Sequence, residues 1–259
     1  MEEQPIGTRG NDTTSPTALI TGATTGIGMA ISRALARKGY NVAVTGQIPK
    51  LEALLQHKDL TSVKAVPIQL NLCDKQSVES AFRNTLEGLN HLDVLINNAG
   101  TTLHKPVVDV TWEDWDRVMN TNLRGAYFLS ALFARHCLEQ NRAGSIVNIA
   151  STHGLTGLSG RSVYGISKGG VIQMTRMMAI EWADSNIRVN AIAPTTVLTP
   201  SRMKFLSDEN TRETMRMRIP NQRFVKEDEV AAAACFLVSP KTGSITGHTL
   251  ALDGGLLSQ

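Results

Sequence analysis

The stretch that decides the fold is ALITGATTGIGMAISRALARK, residues 18–38. A short apolar run, residues 18–21, leads into a loop that contains Gly22, Gly26 and Gly28 and then into a helical pattern. Glycines let the backbone turn tightly and approach a ligand, and a helix N-terminus stabilises an anion such as a pyrophosphate. The spacing is Gly-x-x-x-Gly-x-Gly, which departs from the Gly-x-Gly-x-x-Gly dinucleotide fingerprint. Alone, the loop predicts either a phosphate-binding turn or a structural turn.

Short apolar runs and helical patterns alternate along the rest of the chain, with no linker between them. Continuous apolar runs suit strands that are covered on both faces, and this alternation is typical of repeated βαβ units. We therefore predict an α/β fold: a single doubly wound Rossmann-type domain, with a seven-stranded parallel sheet and helices on both faces. The predicted strands cover residues 18–21, 41–45, 63–68, 92–96, 145–150, 188–193 and 249–252. The predicted helices cover residues 26–38, 50–57, 75–89, 111–139, 163–184 and 226–238.

Two segments lie outside this alternation. Residues 1–16 are polar, with two acids directly after the first Met, unlike the basic start of a signal peptide, and we predict a flexible tail there. The charged, Met-rich segment at about residues 199–220 matches no strand, and we predict a mobile substrate lid of one or two short helices. Residues 17–259 are predicted to form one continuous domain that includes this lid.

Composition excludes several classes of function. With 26 basic and 23 acidic residues the net charge is only +3, and the basic residues form no run that could follow a nucleic acid backbone. Aromatic residues make up 5%, too few to favour a base-stacking surface. No apolar run approaches about 18 residues, so we predict no membrane span. Three widely spaced cysteines fit neither a disulfide framework nor a metal site, so we predict a cytoplasmic protein without bound metal.

Several polar residues occupy positions suited to chemistry. Tyr164 and Lys168 are four apart on a predicted helix and share one face, where a nearby ammonium would lower the pKa of the phenol from about 10. Ser151 follows a predicted strand at the edge where parallel sheets bind ligands, and its hydroxyl could hydrogen-bond a substrate oxygen. The run NNAG, residues 97–100, closes another strand, and Asn122 lies in a predicted helix although asparagine forms helices poorly. Each feature alone also has a structural explanation.

Together these features resemble the short-chain dehydrogenase/reductase superfamily over nearly the whole chain. The glycine loop, the NNAG run, Asn122, Ser151, Tyr164 and Lys168 occur in that family's order. The resemblance implies reversible hydride transfer between a nicotinamide and a secondary alcohol or ketone. It implies that Tyr164 is the general acid and base and that Ser151 orients the substrate oxygen. It also implies that Lys168 lowers the pKa of the tyrosine and binds the nicotinamide ribose, while Asn122 holds a water in the proton path.

The resemblance further implies a dinucleotide site built from both ends of the chain. The second strand ends at Gly46 and Gln47, where such folds usually place an acid for the ribose 2′-hydroxyl or a basic residue for a 2′-phosphate. Because no carboxylate repels a 2′-phosphate, NADP is the expected cofactor and NAD the alternative. The expected contacts are Gly22, Thr24, Thr25, Gly26, Ile27, Gly28, Gln47, Asn71, Leu72, Asn98, Gly100, Tyr164, Lys168, Pro194, Val197 and Thr199.

Residues 120–151, 219–220 and 253–255 resemble gluconate 5-dehydrogenases and 2-deoxygluconate 3-dehydrogenases, and also 3-oxoacyl-carrier-protein reductases. A sugar acid or polyol is therefore expected ahead of an acyl thioester. His153 and Arg161 could flank the pocket, and Arg161 could pair with a substrate carboxylate, although residues in such positions more often belong simply to a solvated loop.

Two expectations concern function class and assembly. A rival to the enzyme is a non-catalytic dinucleotide-binding sensor, which would be expected to lack one of the four catalytic residues. In the family, two long helices pair between subunits, here the helices predicted at residues 111–139 and 163–184. A homotetramer or homodimer that acts on a small molecule is therefore expected.

Overall fold

Seven strands alternate with nine α-helices along residues 15–46 and 48–259, the part of the chain that the computed structural model describes, apart from the side chains of Ile48 and Phe205. The strands are β1 (Thr17–Ile20), β2 (Asn41–Thr45), β3 (Ala65–Ile68), β4 (Val94–Asn97), β5 (Gly144–Ile149), β6 (Ile187–Pro194) and β7 (Thr249–Leu252). The helices are α1 (Gly26–Arg37), α2 (Ile48–Leu55), α3 (Lys75–Leu89), α4 (Trp112–Met119), α5 (Gly125–Glu139), α6 (Ser162–Glu181), α7 (Pro200–Phe205), α8 (Glu209–Met217) and α9 (Glu227–Val238).

The strands form one parallel sheet in the order β3-β2-β1-β4-β5-β6-β7. The chain starts in the middle with β1, moves outward to β3 and then returns to add β4 on the other side of β1. Because the connections after β1 and β4 leave in opposite directions, a crevice opens at the carboxyl ends of these two strands. The prediction of a single doubly wound α/β domain is confirmed.

Alternate residues of the strands serve two separate apolar cores. In β1, Ala18 and Ile20 pack in the core that α1, α2 and α9 cover, whereas Leu19 packs in the core that α3, α5 and α6 cover. In β2, Val42 and Val44 join the first core and Ala43 joins the second. Burial on both faces is the physical reason why these strands are continuously apolar.

The long helix predicted over residues 111–139 is interrupted. Residues 120–124 form one π-helical turn between α4 and α5, in which the Gly125 N–H bonds the carbonyl of Asn120. Within this wider turn the side chain of Asn122 is buried, with 2% exposure. Hydrophobic periodicity indicates that a helix exists, but it does not reveal a single wider turn within the helix. The prediction of one continuous helix is therefore wrong here.

The other predicted boundaries agree with the structure to within three residues. Residues 1–14 of the predicted tail lie outside the described residues, and Pro16 accepts a hydrogen bond from the Asn41 N–H at 2.8 Å. The predicted lid contains α7 and α8, while its movement stays a prediction. In the part of the chain described, no helix combines the length and the apolar character needed to cross a membrane.

Candidate active site

The glycine loop follows β1 and needs glycine at three places for two different reasons. Gly22 and Gly26 have φ angles of +64° and +63°, in the left-handed region that favours glycine. A Cβ on Gly28 would collide with the carbonyl of Gly22 and the side-chain amide of Asn98. Backbone conformation therefore requires glycine at the first two positions, and lack of space requires it at the third.

Thr21 and Asn98 join this loop to the loop after β4. The Thr21 hydroxyl oxygen accepts hydrogen bonds from the N–H groups of Asn98 and Ala99, both at 2.9 Å. The side-chain amide of Asn98 donates to the carbonyls of Thr21 and Gly22, at 2.9 and 3.0 Å. Asn98, predicted as a cofactor contact, thus acts on the glycine loop through hydrogen bonds to its backbone.

The N-terminus of α1 opens onto the same loop. Thr25 occupies the N-cap position with extended backbone, and its side chain makes no capping hydrogen bond. Helix N–H groups without a capping side chain, together with the helix dipole, form an anion site, so these residues fit the pyrophosphate of a dinucleotide. Ile27 lies partly buried in the first turn of α1. The Thr199 methyl group lies 3.2 Å from the position that a Cβ on Gly26 would take. The segment after β6 therefore packs against the glycine loop, although the two are far apart in the sequence.

The ribose end of this crevice is formed where β2 ends. The side chain of Thr24 lies over Gly46 so closely that a Cβ on Gly46 would collide with its methyl group. Gln47, predicted to contact the cofactor, lies outside the described residues. The described part of this region therefore offers a threonine hydroxyl and a glycine.

The loop after β3 carries two of the predicted cofactor contacts, Asn71 and Leu72. Leu72 is buried, and a Cβ on Gly125 would lie 2.5 Å from the Leu72 carbonyl oxygen, so the start of α5 holds this loop tightly. Asn71 is exposed, and its side-chain carbonyl accepts a hydrogen bond from the Cys73 N–H at 3.0 Å. Both residues follow the carboxyl end of β3, and their contact with a cofactor stays a prediction.

The segment after β6 follows the same edge. Pro194 ends β6 and pairs with Leu252 of β7, and Val197 is buried in an isolated parallel bridge with Val225. Thr199 caps α7, because its hydroxyl accepts a hydrogen bond from the Arg202 N–H at 3.2 Å. The segment thus leads directly from the sheet edge into the predicted lid.

The four predicted catalytic residues lie together beside this crevice. Ser151 follows β5, and its hydroxyl acts on Tyr164 of α6, where it lowers the pKa of the phenol. One turn along α6, the buried Lys168 places its Nζ 5.9 Å from the centre of the Tyr164 ring and donates to the Ile149 carbonyl at 2.6 Å. The Ser151 hydroxyl also accepts a hydrogen bond from the His153 N–H at 3.2 Å.

Asn122 connects this group to the loop after β4. Its side-chain carbonyl accepts from the Thr101 N–H at 2.7 Å, and its amide donates to the Thr101 carbonyl at 2.9 Å and to the Ser167 hydroxyl at 3.0 Å. A Cβ on Gly100 would lie 3.2 Å from the Asn122 Oδ1 and 3.6 Å from the Lys168 Nζ, so glycine permits this close approach. The side chain of Asn122 is therefore committed to positioning α6 against the loop.

The electrostatics of Tyr164 differ from the sequence expectation. Burial raises the pKa of Tyr164, against the hydrogen bond from Ser151 and the charges of Arg202 and Arg161, which lower it. Lys168 was expected to lower this pKa, but it is not among the groups that do so in this structure, where its ammonium donates to the Ile149 carbonyl. Burial also lowers the pKa of Lys168 itself to about 8. In this state the phenol is protonated at neutral pH.

Comparisons with known proteins agree with this arrangement. A family model described as enoyl-(acyl carrier protein) reductase matches residues 22–257. The 3-oxoacyl-(acyl-carrier-protein) reductase FabG of Thermotoga maritima is 39% identical over 241 residues, which cover 92% of this chain and 96% of that protein. The chain belongs to the short-chain dehydrogenase/reductase family. The family predicted from the sequence is thereby confirmed, and the chain is an NAD(P)-dependent oxidoreductase.

Solved structures of this short-chain dehydrogenase/reductase family match most of the chain. A proposed short-chain alcohol dehydrogenase from Sinorhizobium meliloti 1021 has a TM-score of 0.90 at 39% identity, covering 94% of this chain and 97% of that chain. A proposed 2-deoxy-D-gluconate 3-dehydrogenase from Agrobacterium tumefaciens, solved with bound NADP, has a TM-score of 0.85 at 33% identity. The coverage there is again 94% of this chain and 97% of that chain.

The two predicted substrate contacts of this short-chain dehydrogenase/reductase both lie next to Tyr164. The His153 ring packs edge-on against the Tyr164 ring, with 6.1 Å between ring centres. Arg161, the N-cap residue of α6, donates from Nη1 to the Thr102 hydroxyl at 2.5 Å and to the Leu103 carbonyl at 3.3 Å. Neither side chain belongs to a fully solvated loop, and their contact with substrate stays a prediction.

Three residues that shape the site are not predicted from the sequence: Thr21, Gly125 and Arg202. Thr21 stands directly between a strand and the glycine loop, a position that could have indicated a bridging role. Gly125 marks the close approach to Leu72, but a lone glycine in a helical pattern does not say what approaches it. Arg202 comes from the lid and carries no sequence signal that places it near Tyr164.

The buried ammonium of Lys168 predicts a gain in stability when it is replaced. Because the pKa of Lys168 is about 8 in the folded chain and 10.5 as the ordinary value, the charged form is disfavoured by folding. The penalty is fully present below pH 8 and fades as the pH rises towards 10.5. We expect Lys168→Met to raise the melting temperature at pH 7, corresponding to at most about 3 kcal/mol, and the gain to shrink at pH 10.

The measurement is thermal unfolding of the cofactor-free protein across this pH range. Lys38→Met, at an exposed lysine, is the matched control and should change the melting temperature little at either pH. A melting temperature for Lys168→Met that falls at pH 7 would contradict the prediction.

Proposed function

We propose that the protein is an NADP-dependent oxidoreductase that interconverts a secondary alcohol and a ketone, with a sugar acid or polyol as substrate. The observation that carries the proposal is the grouping of Tyr164 with Ser151 and Lys168 at the same sheet edge as the glycine loop, with the Lys168 Nζ 5.9 Å from the centre of the Tyr164 ring. The similarity to the proposed 2-deoxy-D-gluconate 3-dehydrogenase from Agrobacterium tumefaciens, solved with bound NADP, supports both the cofactor and the substrate class.

In a hydride-transfer reaction each residue of the site has a separate role. A bound nicotinamide would supply or accept the hydride at the substrate carbon. Ser151 hydrogen-bonds the substrate oxygen and orients it towards Tyr164, which gives its proton to that oxygen during ketone reduction. Since burial raises the pKa of Tyr164, the tyrosine is in its proton-donating form at neutral pH. Asn122 holds the Thr101 loop and α6 in register, so that Lys168 stays beside Tyr164.

Replacement of the proposed proton donor tests this assignment. Tyr164→Phe removes only the hydroxyl, and we expect kcat for ketone reduction to fall by roughly 10²- to 10⁴-fold, as is typical for loss of a general acid. NADPH affinity should stay within a factor of about three, since the ring remains. The matched control is Tyr127→Phe, at an exposed tyrosine on α5, which should keep full activity. Full activity of Tyr164→Phe would mean that another group donates the proton.

The cofactor preference rests on the end of β2. Gly46 provides no carboxylate to repel a 2′-phosphate, and the Thr24 hydroxyl lies close to it. NAD is the alternative, because a threonine hydroxyl can also bond an unphosphorylated ribose. A direct comparison of NADPH and NADH binding by titration distinguishes the two.

A charge introduced at Gly46 should reverse the preference. We expect Gly46→Asp to weaken NADPH binding about tenfold or more relative to Gly46→Asn, because like charges in contact repel strongly. Both variants crowd Thr24 equally, so their difference isolates the charge. NADH binding should be similar in the two variants. If Gly46→Asp and Gly46→Asn bind NADPH equally, the 2′-phosphate does not lie at this position.

The second candidate function is reduction of a 3-oxoacyl thioester. It is favoured by the 39% identity to the Thermotoga maritima 3-oxoacyl-(acyl-carrier-protein) reductase. The same Ser151 and Tyr164 would serve either substrate, since both reactions reduce a ketone to a secondary alcohol. A panel of sugar acids, polyols and 3-oxoacyl thioesters, assayed with the preferred cofactor, separates the two.

A homotetramer or homodimer is also part of the proposal. The outer faces of α4, α5 and α6 expose large apolar side chains, which mark interaction surfaces in folded proteins. Trp112 is 82%, Ile180 80% and Phe128 56% exposed. Isologous pairing of this face between subunits would cover it, as in most symmetric oligomers.

Charge on this apolar face should reduce the assembly. We expect the double variant Phe128→Glu and Ile180→Glu to sediment as a smaller species than the unmodified protein in analytical ultracentrifugation. Phe236→Glu is the matched control, because Phe236 is 51% exposed on α9, on the opposite side of the sheet. An unchanged oligomer in the double variant would place the interface elsewhere.

A cytoplasmic location completes the proposal. Cys73, Cys137 and Cys235 are all free thiols, which suits a reducing compartment. Fractionation of cells that express the protein would test the location.

A further inference from the structure

Two loops meet at the start of α6: residues 101–105 after β4, here named the β4 loop, and residues 155–161, here named the α6 loop. The Lys105 N–H donates a hydrogen bond to the Gly160 carbonyl at 2.8 Å. The His104 ring lies so close to Gly160 that a Cβ there would come within 2.7 Å of it. The backbones of the two loops are therefore in direct contact at this point.

Arg161 adds a side-chain connection between the same two loops. It is the last residue of the α6 loop, where it takes the N-cap position of α6, and it is partly buried. Its Nη1 donates to the Thr102 hydroxyl at 2.5 Å and to the Leu103 carbonyl at 3.3 Å. Hydrogen bonds from a charged donor are stronger than those between neutral groups. Arg161 therefore holds the middle of the β4 loop against the start of α6.

The place of Arg161 is unfavourable for a cation. The N-terminus of a helix is the positive end of its dipole, and the Arg161 side chain makes no capping hydrogen bond to α6. Burial removes the guanidinium from water and lowers the pKa of Arg161. Helix stability thus gives no reason for an arginine at this position, whereas the hydrogen bonds to the β4 loop do.

The β4 loop connects the dinucleotide site to the helix that carries Tyr164. The loop follows directly on the two residues whose N–H groups donate to Thr21, beside the glycine loop. Asn122 holds the first residue of the β4 loop, Thr101, through both of its backbone groups. Tyr164 lies in the first turn of α6, three residues after Arg161. A clamp between Arg161 and the β4 loop therefore acts on the turn that carries the tyrosine.

We propose that Arg161 is a positioning residue, which fixes Tyr164 relative to the dinucleotide site by clamping the β4 loop to the start of α6. The inference rests on the proposed function, because it takes Tyr164 as the proton donor. Arg161 then acts on catalysis through the β4 loop and does not bind a substrate carboxylate. Without the clamp the tyrosine and the cofactor shift relative to each other, and a displacement of about 1 Å can lower a rate by roughly 100-fold. The loss falls equally on charged and neutral substrates.

Hydrogen exchange of the NADP-bound protein tests the clamp without any substrate. Arg161→Met keeps a long side chain but removes both hydrogen bonds, and Thr102→Val removes one of the acceptors. We expect amide exchange in the peptide that spans residues 101–105 to become about tenfold faster in Arg161→Met, and less so in Thr102→Val. Because both changes break the same contact, the double variant should exchange no faster than Arg161→Met. Exchange in α3 should stay unchanged.

Steady-state kinetics test the consequence for catalysis. We expect kcat of Arg161→Met to fall by roughly 10- to 100-fold, by the same factor for the sugar acids and the polyols of the substrate panel. KM and the NADPH affinity measured by titration should change by less than about threefold, since neither binding site loses a contact. Arg161→Lys, which can still donate to the β4 loop, should recover part of kcat and part of the slow exchange.

The matched control is Arg83→Met, at an exposed arginine on α3 that bonds Ser80, and it should change neither exchange nor kcat. Unchanged exchange of the β4 loop in Arg161→Met would overturn the clamp. A raised KM for sugar acids alone, with kcat unchanged, would also overturn the proposal, because Arg161 would then bind the substrate carboxylate. Failure of the proposed function would appear differently, as absence of Tyr164-dependent hydride transfer in the unmodified protein, and the exchange result would still decide whether the clamp exists.

Discussion

The active site depends on the hydrogen bonds that tie the loop after β1 to the loop after β4. Thr21 accepts from two backbone N–H groups of the second loop, and Asn98 returns two hydrogen bonds to carbonyls of the first. These bonds lie at the point where the strand order reverses, so the adjoining loops would otherwise diverge. They place Gly22 and Gly28 where a pyrophosphate can approach the N-terminus of α1, and they position the loop that Asn122 then connects to α6.

Burial and charge oppose each other at Tyr164. Burial raises its pKa, while Ser151 and two arginines lower it, and the ammonium of Lys168 is bound to a backbone carbonyl of β5. The site therefore holds a protonated phenol, whose pKa the charges of Arg161 and Arg202 lower against the effect of burial. The same burial disfavours the charged form of Lys168, so catalytic placement costs stability.

Much of the architecture follows from local sequence patterns. The apolar strands, the order of βαβ units and the glycine loop led to the correct sheet and the correct family, because two-sided burial leaves a strong pattern in each strand. The break at residues 120–124 was not predictable in this way, since one π-helical turn adds a single residue to a helix whose apolar pattern stays helical on both sides. The sequence shows that Asn122 is a poor helix former, but its burial and its hydrogen bonds to Thr101 and Ser167 depend on residues far away in the sequence.

The sequence by itself determined the fold, the family and the residue types available for chemistry. The reason is that the apolar pattern of each buried strand and the glycine loop both lie in short, contiguous segments of the chain. Only the tertiary structure decided what those residues do to one another. It bound the Lys168 ammonium to Ile149, set the pKa direction of Tyr164 by burial, and brought Arg202 from the lid to the neighbourhood of Arg161. The physical reason is that electrostatic interactions and hydrogen bonds depend on distances between residues that are distant in the chain, and spacing along the sequence does not specify those distances.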